Sequence, residues 1–123
     1  MPKPIHVRFE MPKELQDKVY ELIEIARDTG KVKKGSNEVT KLVERGETVF
    51  VVMAEDVQPP EILAHLPLLC EERNITYAYV PSKAELGNAS GLEKPTAAVA
   101  VVDVGKGKPL LENLSEQIKK LKK

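Results

Sequence analysis

From residue 13 to 28 apolar side chains return every third or fourth position, at Leu15, Val19, Leu22, Ile23 and Ala26. That spacing predicts an amphipathic helix, entered at Pro12 and ended by Gly30. The next four residues, "KVKK", have the length of a short edge strand, and their lysines discourage pairing with a stray strand. A second short helix is predicted over 37–45, closed by Gly46. Residues 48–53, "TVFVVM", form an almost unbroken β-branched run, the pattern of a strand buried on both faces.

After "AEDVQ", Pro59 and Pro60 suit the first turn of a helix. "EILAHLPLLCEER" keeps helical spacing, but Pro67 lacks the N–H that a helix interior needs, so the helix is expected to restart near Leu66. "ITYAYV" predicts a second strand. "SKAELG" predicts a short helix capped by Ser82, with Glu85 three residues on in the capping-box pattern. "NASGLEKP" reads as a loop and "TAAVAVVDV" as a third buried strand. A last helix over 109–122 turns Leu110, Leu111, Leu114, Ile118 and Leu121 inward, and lysines near its C-terminal end suit the helix dipole. Helices alternating with apolar strands predict an α/β fold: a three-layer α-β-α sandwich around a small central, mostly mixed sheet. No repeat, low-complexity tract or linker interrupts the chain, so residues 1–123 are expected to form a single domain.

Composition narrows this picture. A chain of 123 residues builds one real core, and 41% hydrophobic with 31% charged residues is globular rather than disordered. No apolar run approaches the roughly 20 residues that span a bilayer, and "MPKPIHVRFEMP" lacks the apolar centre of a signal peptide. The single cysteine, Cys70, excludes an internal disulfide and fits a reducing, cytoplasmic setting. With no CxxC and no His/Cys cluster, neither a structural zinc nor another metal or cofactor is expected.

Charge changes the picture further. Lys plus Arg and Asp plus Glu are 19 each, which argues against holding nucleic acid by bulk charge. Yet the charges are sorted. Residues 10–28 hold six acids against three bases, whereas 31–45 hold five bases against two acids. One face can therefore be positive on a neutral molecule.

The basic segment contains "KGSNEVTK". With Asn37 at zero, helical geometry puts Glu38, Lys41 and Arg45 at about 100°, 40° and 80° and Val39, Leu42 and Val43 at about 200°, 140° and 240°. The apolar arc is free to bury, and the other arc gathers Asn37, Glu38, Lys41 and Arg45. Asn donates and accepts, Glu accepts only, and Lys and Arg donate only. Gly35 and the free amides of a helix N-terminus, beside Lys33 and Lys34, offer a seat for phosphate. Glu38 would repel bare phosphate, so its place there argues for donors on the ligand, such as guanine N–H groups. A solvated helix face with an Asn or Ser cap and Glu–Lys pairs accounts for the spacing equally well.

Other candidates are weaker. His65 lies among leucines, as a structural or surface histidine would. Glu55 and Asp56 follow the central strand, where α/β ligand sites often lie. A small enzyme using Asp56, His65 or Glu38 is thus one alternative, although no Ser-His-Asp, Cys-His or metal-ligand set accompanies them. A protein-interaction adaptor with an incidental basic edge is another. Cys70 sits in an apolar stretch, consistent with an inert buried thiol. Tyr77 and Tyr79 share a strand face, more in keeping with packing than with a stacking platform. Aromatics at 4% disfavour single-strand binding by base stacking.

Taken together, "KVKKGSNEVTKLVERG", "VVMAEDVQPPEILAHLPLLCEERNITYAYVPSK" and "LGNASG" resemble the kink-turn-binding ribosomal protein family, in its archaeal L-seven-Ae type, from about Phe9 to Val102. The resemblance implies an α-β-α sandwich that binds sharply bent RNA duplexes carrying a three-nucleotide bulge beside tandem sheared G·A pairs. An ordinary A-form major groove is too deep and narrow for a helix; a kink opens it. By resemblance, Asn37, Glu38 and Lys41 match positions that read the G·A guanines, with Arg45 adjacent, and Lys34 and Gly35 match backbone contacts. The pocket for the flipped bulge nucleotide corresponds to Gln58, Ile62 and Lys83; position 58 is often acidic in the family and is Gln here. The loop at Leu92, Glu93 and Lys94 resembles the one that closes over the bulge, with "GLEKP" between the archaeal and eukaryotic patterns. The resemblance further implies a non-enzymatic role. Implied partners are the large ribosomal subunit, the core proteins of box C/D and H/ACA ribonucleoproteins, and RNase P. The free protein is expected to be a monomer.

Overall fold

The computed structural model describes residues 11–57 and 63–121. Its elements run in the order α1 (Lys13–Thr29), β1 (Lys31–Lys34), α2 (Ser36–Arg45), β2 (Phe50–Ala54), α3 (Leu66–Glu72), β3 (Thr76–Val80), α4 (Lys83–Ala89), β4 (Ala98–Asp103) and α5 (Lys108–Leu121), with a single 3₁₀ turn at Gly105–Gly107 before α5. The strands form one mixed sheet in the order β1-β4-β2-β3. β4 runs antiparallel to both neighbours, pairing Val32 with Val101 on one side and Phe50 with Val101 on the other. β2 and β3 are parallel, from Phe50 opposite Thr76 to Ala54 opposite Val80.

α1, α4 and α5 pack together on one face of the sheet, and α2 with α3 on the other. This is the three-layer sandwich that the alternation of elements predicts. Every residue of β2 is buried, as a strand covered on both faces must be. Its apolar run starts at Thr48 but its ladder starts at Phe50. Thr48 is used differently: its hydroxyl lies 2.7 Å from the Val101 carbonyl and anchors the strand entrance. α1 buries the predicted stripe of Leu15, Val19, Leu22, Ile23 and Ala26. On α5, Leu114 and Ile118 are fully enclosed while Leu110, Leu111 and Leu121 close the rim of the core.

A proline and a serine act as their chemistry requires. Pro67 stands in the first turn of α3, where a missing N–H costs nothing, so the helix begins at Leu66 as expected. Ser82 caps α4, its hydroxyl accepting from the Glu85 N–H at 3.2 Å. α4 runs on through Asn88 and Ala89, two residues that the spacing assigns to the following loop. The Pro59-Pro60 helix start lies outside the described residues. Tyr77 and Tyr79 meet edge to face with ring centroids 6.0 Å apart, and both are enclosed. They are packing residues, closed to any base.

Candidate nucleic-acid interface

β1 delivers the chain to the mouth of α2 through Gly35. The Gly35 N–H donates to the Ala98 carbonyl at 2.9 Å, so the β1–β4 ladder holds the turn to its last residue. The turn itself needs φ +99° at Gly35, a conformation that a residue with a Cβ rarely adopts. The N-cap of α2 is Gly35, which has no side chain to close the helix amides. Glycine thus stands where the spacing allowed an Asn or Ser cap, so the N-cap side chain supplies no acceptor to the entrance amides, an arrangement that suits an anion.

The inner face of α2 is closed by Val39 and Val43. Its outer face exposes Asn37, Glu38, Lys41 and Arg45. Asn37, Glu38 and Lys41 lie within the first two turns. Arg45 belongs to the last turn, about 12 Å along the axis from Asn37 and about 6 Å from Lys41 at 1.5 Å per residue. There it approaches Glu47 at 4.0 Å, with both side chains largely in solvent. The four residues that share one arc on paper therefore form a stripe along the helix, with Arg45 at its far end and next to Lys41 at i,i+4.

Beside the helix entrance lies a groove of about 520 Å³ between β1 and the loop after α4. Val32, Lys33, Lys34 and Gly35 form one wall, and Leu92, Lys94, Pro95 and Thr96 the other. Lys34 and Gly35 are thus brought together with Leu92 and Lys94 across more than fifty residues of chain. Glu93 is exposed between the last two. The groove is basic from both sides and opens at the uncapped end of α2.

Behind the loop stands α4. The Leu92 N–H donates to the Gly87 carbonyl at 2.8 Å and the Thr96 N–H to the Lys83 carbonyl at 3.1 Å, so the loop is tied at both ends to one helix. Gly87 lets it lie close: a Cβ there would collide with the Lys94 carbonyl oxygen and come within 3.1 Å of its carbon and 3.3 Å of the Pro95 Cα. Lys83, in the first turn of α4, has its own N–H held by Asp56 at 2.9 Å. Asp56 therefore serves as a backbone acceptor that fixes the helix start. Gln58 and Ile62 lie outside the described residues.

Val32, Pro95, Thr96 and Gly87 escape a search for chemistry-bearing side chains. Three contribute shape, and Gly87 contributes the lack of a Cβ. The only signal for it is a glycine inside a helical stretch, "KAELGNA", where glycine is otherwise costly.

The remaining candidates are accounted for structurally. His65 Nε2 lies 3.0 Å from the Thr40 hydroxyl, a link between α3 and α2 at the surface. Cys70 is buried. The Tyr20 hydroxyl on α1 is pushed well above its ordinary range by burial, and the nearby Glu85 carboxylate pushes in the same direction. No group of three or more His, Cys, Asp or Glu among the described residues is placed to hold a metal ion.

Residues 17–111 match the sequence profile of the ribosomal protein L7Ae/L30e/S12e/Gadd45 family. Among solved structures, the chain is similar to the Giardia lamblia 15.5kD RNA binding protein. The two share 28% sequence identity over 98% of this chain and 99% of that one, with a TM-score of 0.89.

Proposed function

This chain belongs to the ribosomal protein L7Ae/L30e/S12e/Gadd45 family, and from that premise we propose that it binds RNA and selects kink-turns. The observation that carries the proposal is the joining of three features at one place: an uncapped helix entrance, a groove basic on both walls, and the exposed trio Asn37, Glu38 and Lys41. Lys33, Lys34 and Lys94 meet phosphates, which position the RNA without reading it. Asn37 and Lys41 reach base edges, and Glu38 accepts from guanine N–H groups of the sheared pairs. A straight A-form duplex cannot bring those edges to α2, because its major groove is too narrow; the kinked form can. The protein therefore binds the bent conformer and raises its population. Lys83, with Gln58 and Ile62, receives the flipped bulge nucleotide, and Leu92, Glu93 and Lys94 close over it.

In this role the chain supplies RNA geometry and no catalysis. The particles that need such geometry are the large ribosomal subunit, box C/D and H/ACA guide complexes and RNase P, assembled in the cytoplasm around this protein as a monomer. The test compares a kink-turn RNA with the same RNA whose tandem G·A pairs are replaced by Watson–Crick pairs. Phosphate count is unchanged, so the counterion contribution is nearly equal. The kink-turn is expected to bind tightly and the control only at about 10⁻⁴–10⁻⁶ M, the non-specific level. Binding of both RNAs within a few-fold across a salt titration would overturn the proposal.

A further inference from the structure

Arg27 belongs to α1, yet its side chain reaches the far end of α4, 62 residues away in sequence. Its Nη1 donates to the Ala89 carbonyl at 3.2 Å. Nε and Nη2 donate to the two carboxylate oxygens of Asp28 at 2.9 and 3.3 Å, which holds the guanidinium in one plane. The aliphatic part of Arg27 lies against Gly91, where a Cβ would come within 3.0 Å of Arg27 Cδ. Ala89 ends α4 and Gly91, at φ +90°, begins the loop that walls the groove.

The last carbonyls of a helix have no partner within it. In α4 the Gly87 carbonyl accepts from the Leu92 N–H at 2.8 Å and the Asn88 carbonyl from the Gly91 N–H at 3.1 Å, both local bonds of the loop itself. The Ala89 carbonyl is closed from another element, by a charged donor. Charged donors make the stronger hydrogen bonds, and a guanidinium set by a carboxylate loses little freedom in making one. Arg27 and Asp28 are 35% and 63% exposed, so their ion pair adds little to global stability. Its contacts are local: Arg27 meets the chain at Ala89 and Gly91, where α4 gives way to the loop.

We propose that Arg27 is a positioning residue for RNA recognition: set by Asp28 and braced on Ala89 and Gly91, it holds loop 91–95 in its groove-forming shape in the free protein. The RNA half of this inference rests on the function proposed above; the brace does not. A loop already in place spares the complex the ordering cost that a wandering loop pays on binding.

The first arm of the test uses no RNA. A nitroxide label is placed on Glu93→Cys in a Cys70→Ala background, and its mobility is read in the free protein. Arg27→Met is expected to raise the mobile fraction roughly twofold or more, with little change in Tm. Asp28→Asn, which keeps the arginine but frees it, gives a smaller rise, and Arg27→Lys restores part of the order. Unchanged spectra in both Arg27→Met and Asp28→Asn overturn the brace. In the second arm, unlabelled proteins are titrated with a kink-turn RNA and with the same RNA lacking its bulge nucleotide. Arg27→Met is expected to weaken the first by roughly three- to tenfold and the second by less than about twofold. Equal losses on both RNAs overturn the role in recognition. A wild-type protein that fails to distinguish kink-turn from Watson–Crick control refutes the proposed function instead, and the label result still decides the brace.

Discussion

Glu38→Gln is the substitution that most sharply divides a base-reading helix from a solvated one, because the two cases predict opposite signs. Glu38 is exposed in the first turn of α2. Its loss from the fold should be small: Gln has a similar helix propensity, and a carboxylate near a helix N-terminus is worth about 0.3–1 kcal/mol. At roughly 4 °C per kcal/mol for a chain of this size, Tm should fall by no more than about 4 °C. On RNA the outcome differs. If the carboxylate accepts from guanine N–H groups, Gln turns one acceptor into a donor facing a donor. The loss is that of a base-reading contact, about 1–3 kcal/mol, or about 5- to 150-fold in Kd at 1.4 kcal/mol per tenfold. If Glu38 only stands near the RNA backbone, removing a negative charge beside a polyanion should tighten binding, more so at low salt. Fluorescence anisotropy titrations of wild type and Glu38→Gln on a kink-turn RNA, at two salt concentrations and with Tm measured in parallel, separate the cases. Equal or tighter binding by Glu38→Gln would refute the assignment of this residue to base recognition.

Lys41→Ala, also on the exposed face of α2, should weaken the kink-turn complex by about 5- to 150-fold and the Watson–Crick control by less than about threefold; paired titrations measure it. Gly87→Ala should displace loop 91–95, since the atoms in the way are backbone; amide shifts at Leu92 and Lys94 should move and kink-turn affinity fall by about tenfold, with the core unaffected. Tyr20→Phe should flatten the alkaline end of the stability profile. Burial and Glu85 raise the Tyr20 hydroxyl in the fold above its ordinary 10.0, so its contribution is complete below pH 10 and is lost as pH rises further, because the unfolded chain ionises first. Chemical denaturation of wild type and variant from pH 8 to 11 should show the two curves diverging only above about pH 10.

Elements with a period were legible from sequence, as were the junctions marked by Gly30, Gly46, Pro67 and Ser82; what depends on contact between distant segments was not. The stripe of Leu15, Val19, Leu22, Ile23 and Ala26 and the unbroken run of β2 report their own burial, because helix and strand place side chains at fixed intervals. The end of α4 escaped because Asn88 and Ala89 suit a loop as well as a helix; in the structure the Ser90 N–H donates to the Leu86 carbonyl at 3.1 Å and carries the helix through them. Candidate site residues on α2 could be placed on an arc, but an arc carries no height, so Arg45 looked nearer to Asn37 than it is. The groove was invisible, since its second wall comes from residues 92–96 and its closeness depends on an atom that Gly87 lacks.

The groove at the mouth of α2 also decides how far away an RNA is felt. Neither face of the sandwich carries one sign: α1 exposes Lys13, Lys18 and Arg27 among its acids, α5 beside it exposes Lys108, Lys119 and Lys120, and α2 sets Glu38 and Glu44 against Lys41 and Arg45. Positive charge is gathered only locally, where Lys33 and Lys34 face Lys94 across the groove. Such a spot acts on a polyanion within about 10 Å at moderate salt, and beyond that distance the neutral body exerts little pull. The groove therefore grips an RNA that has already arrived and does little to fetch one, so salt should shorten the life of the complex more than it slows the encounter.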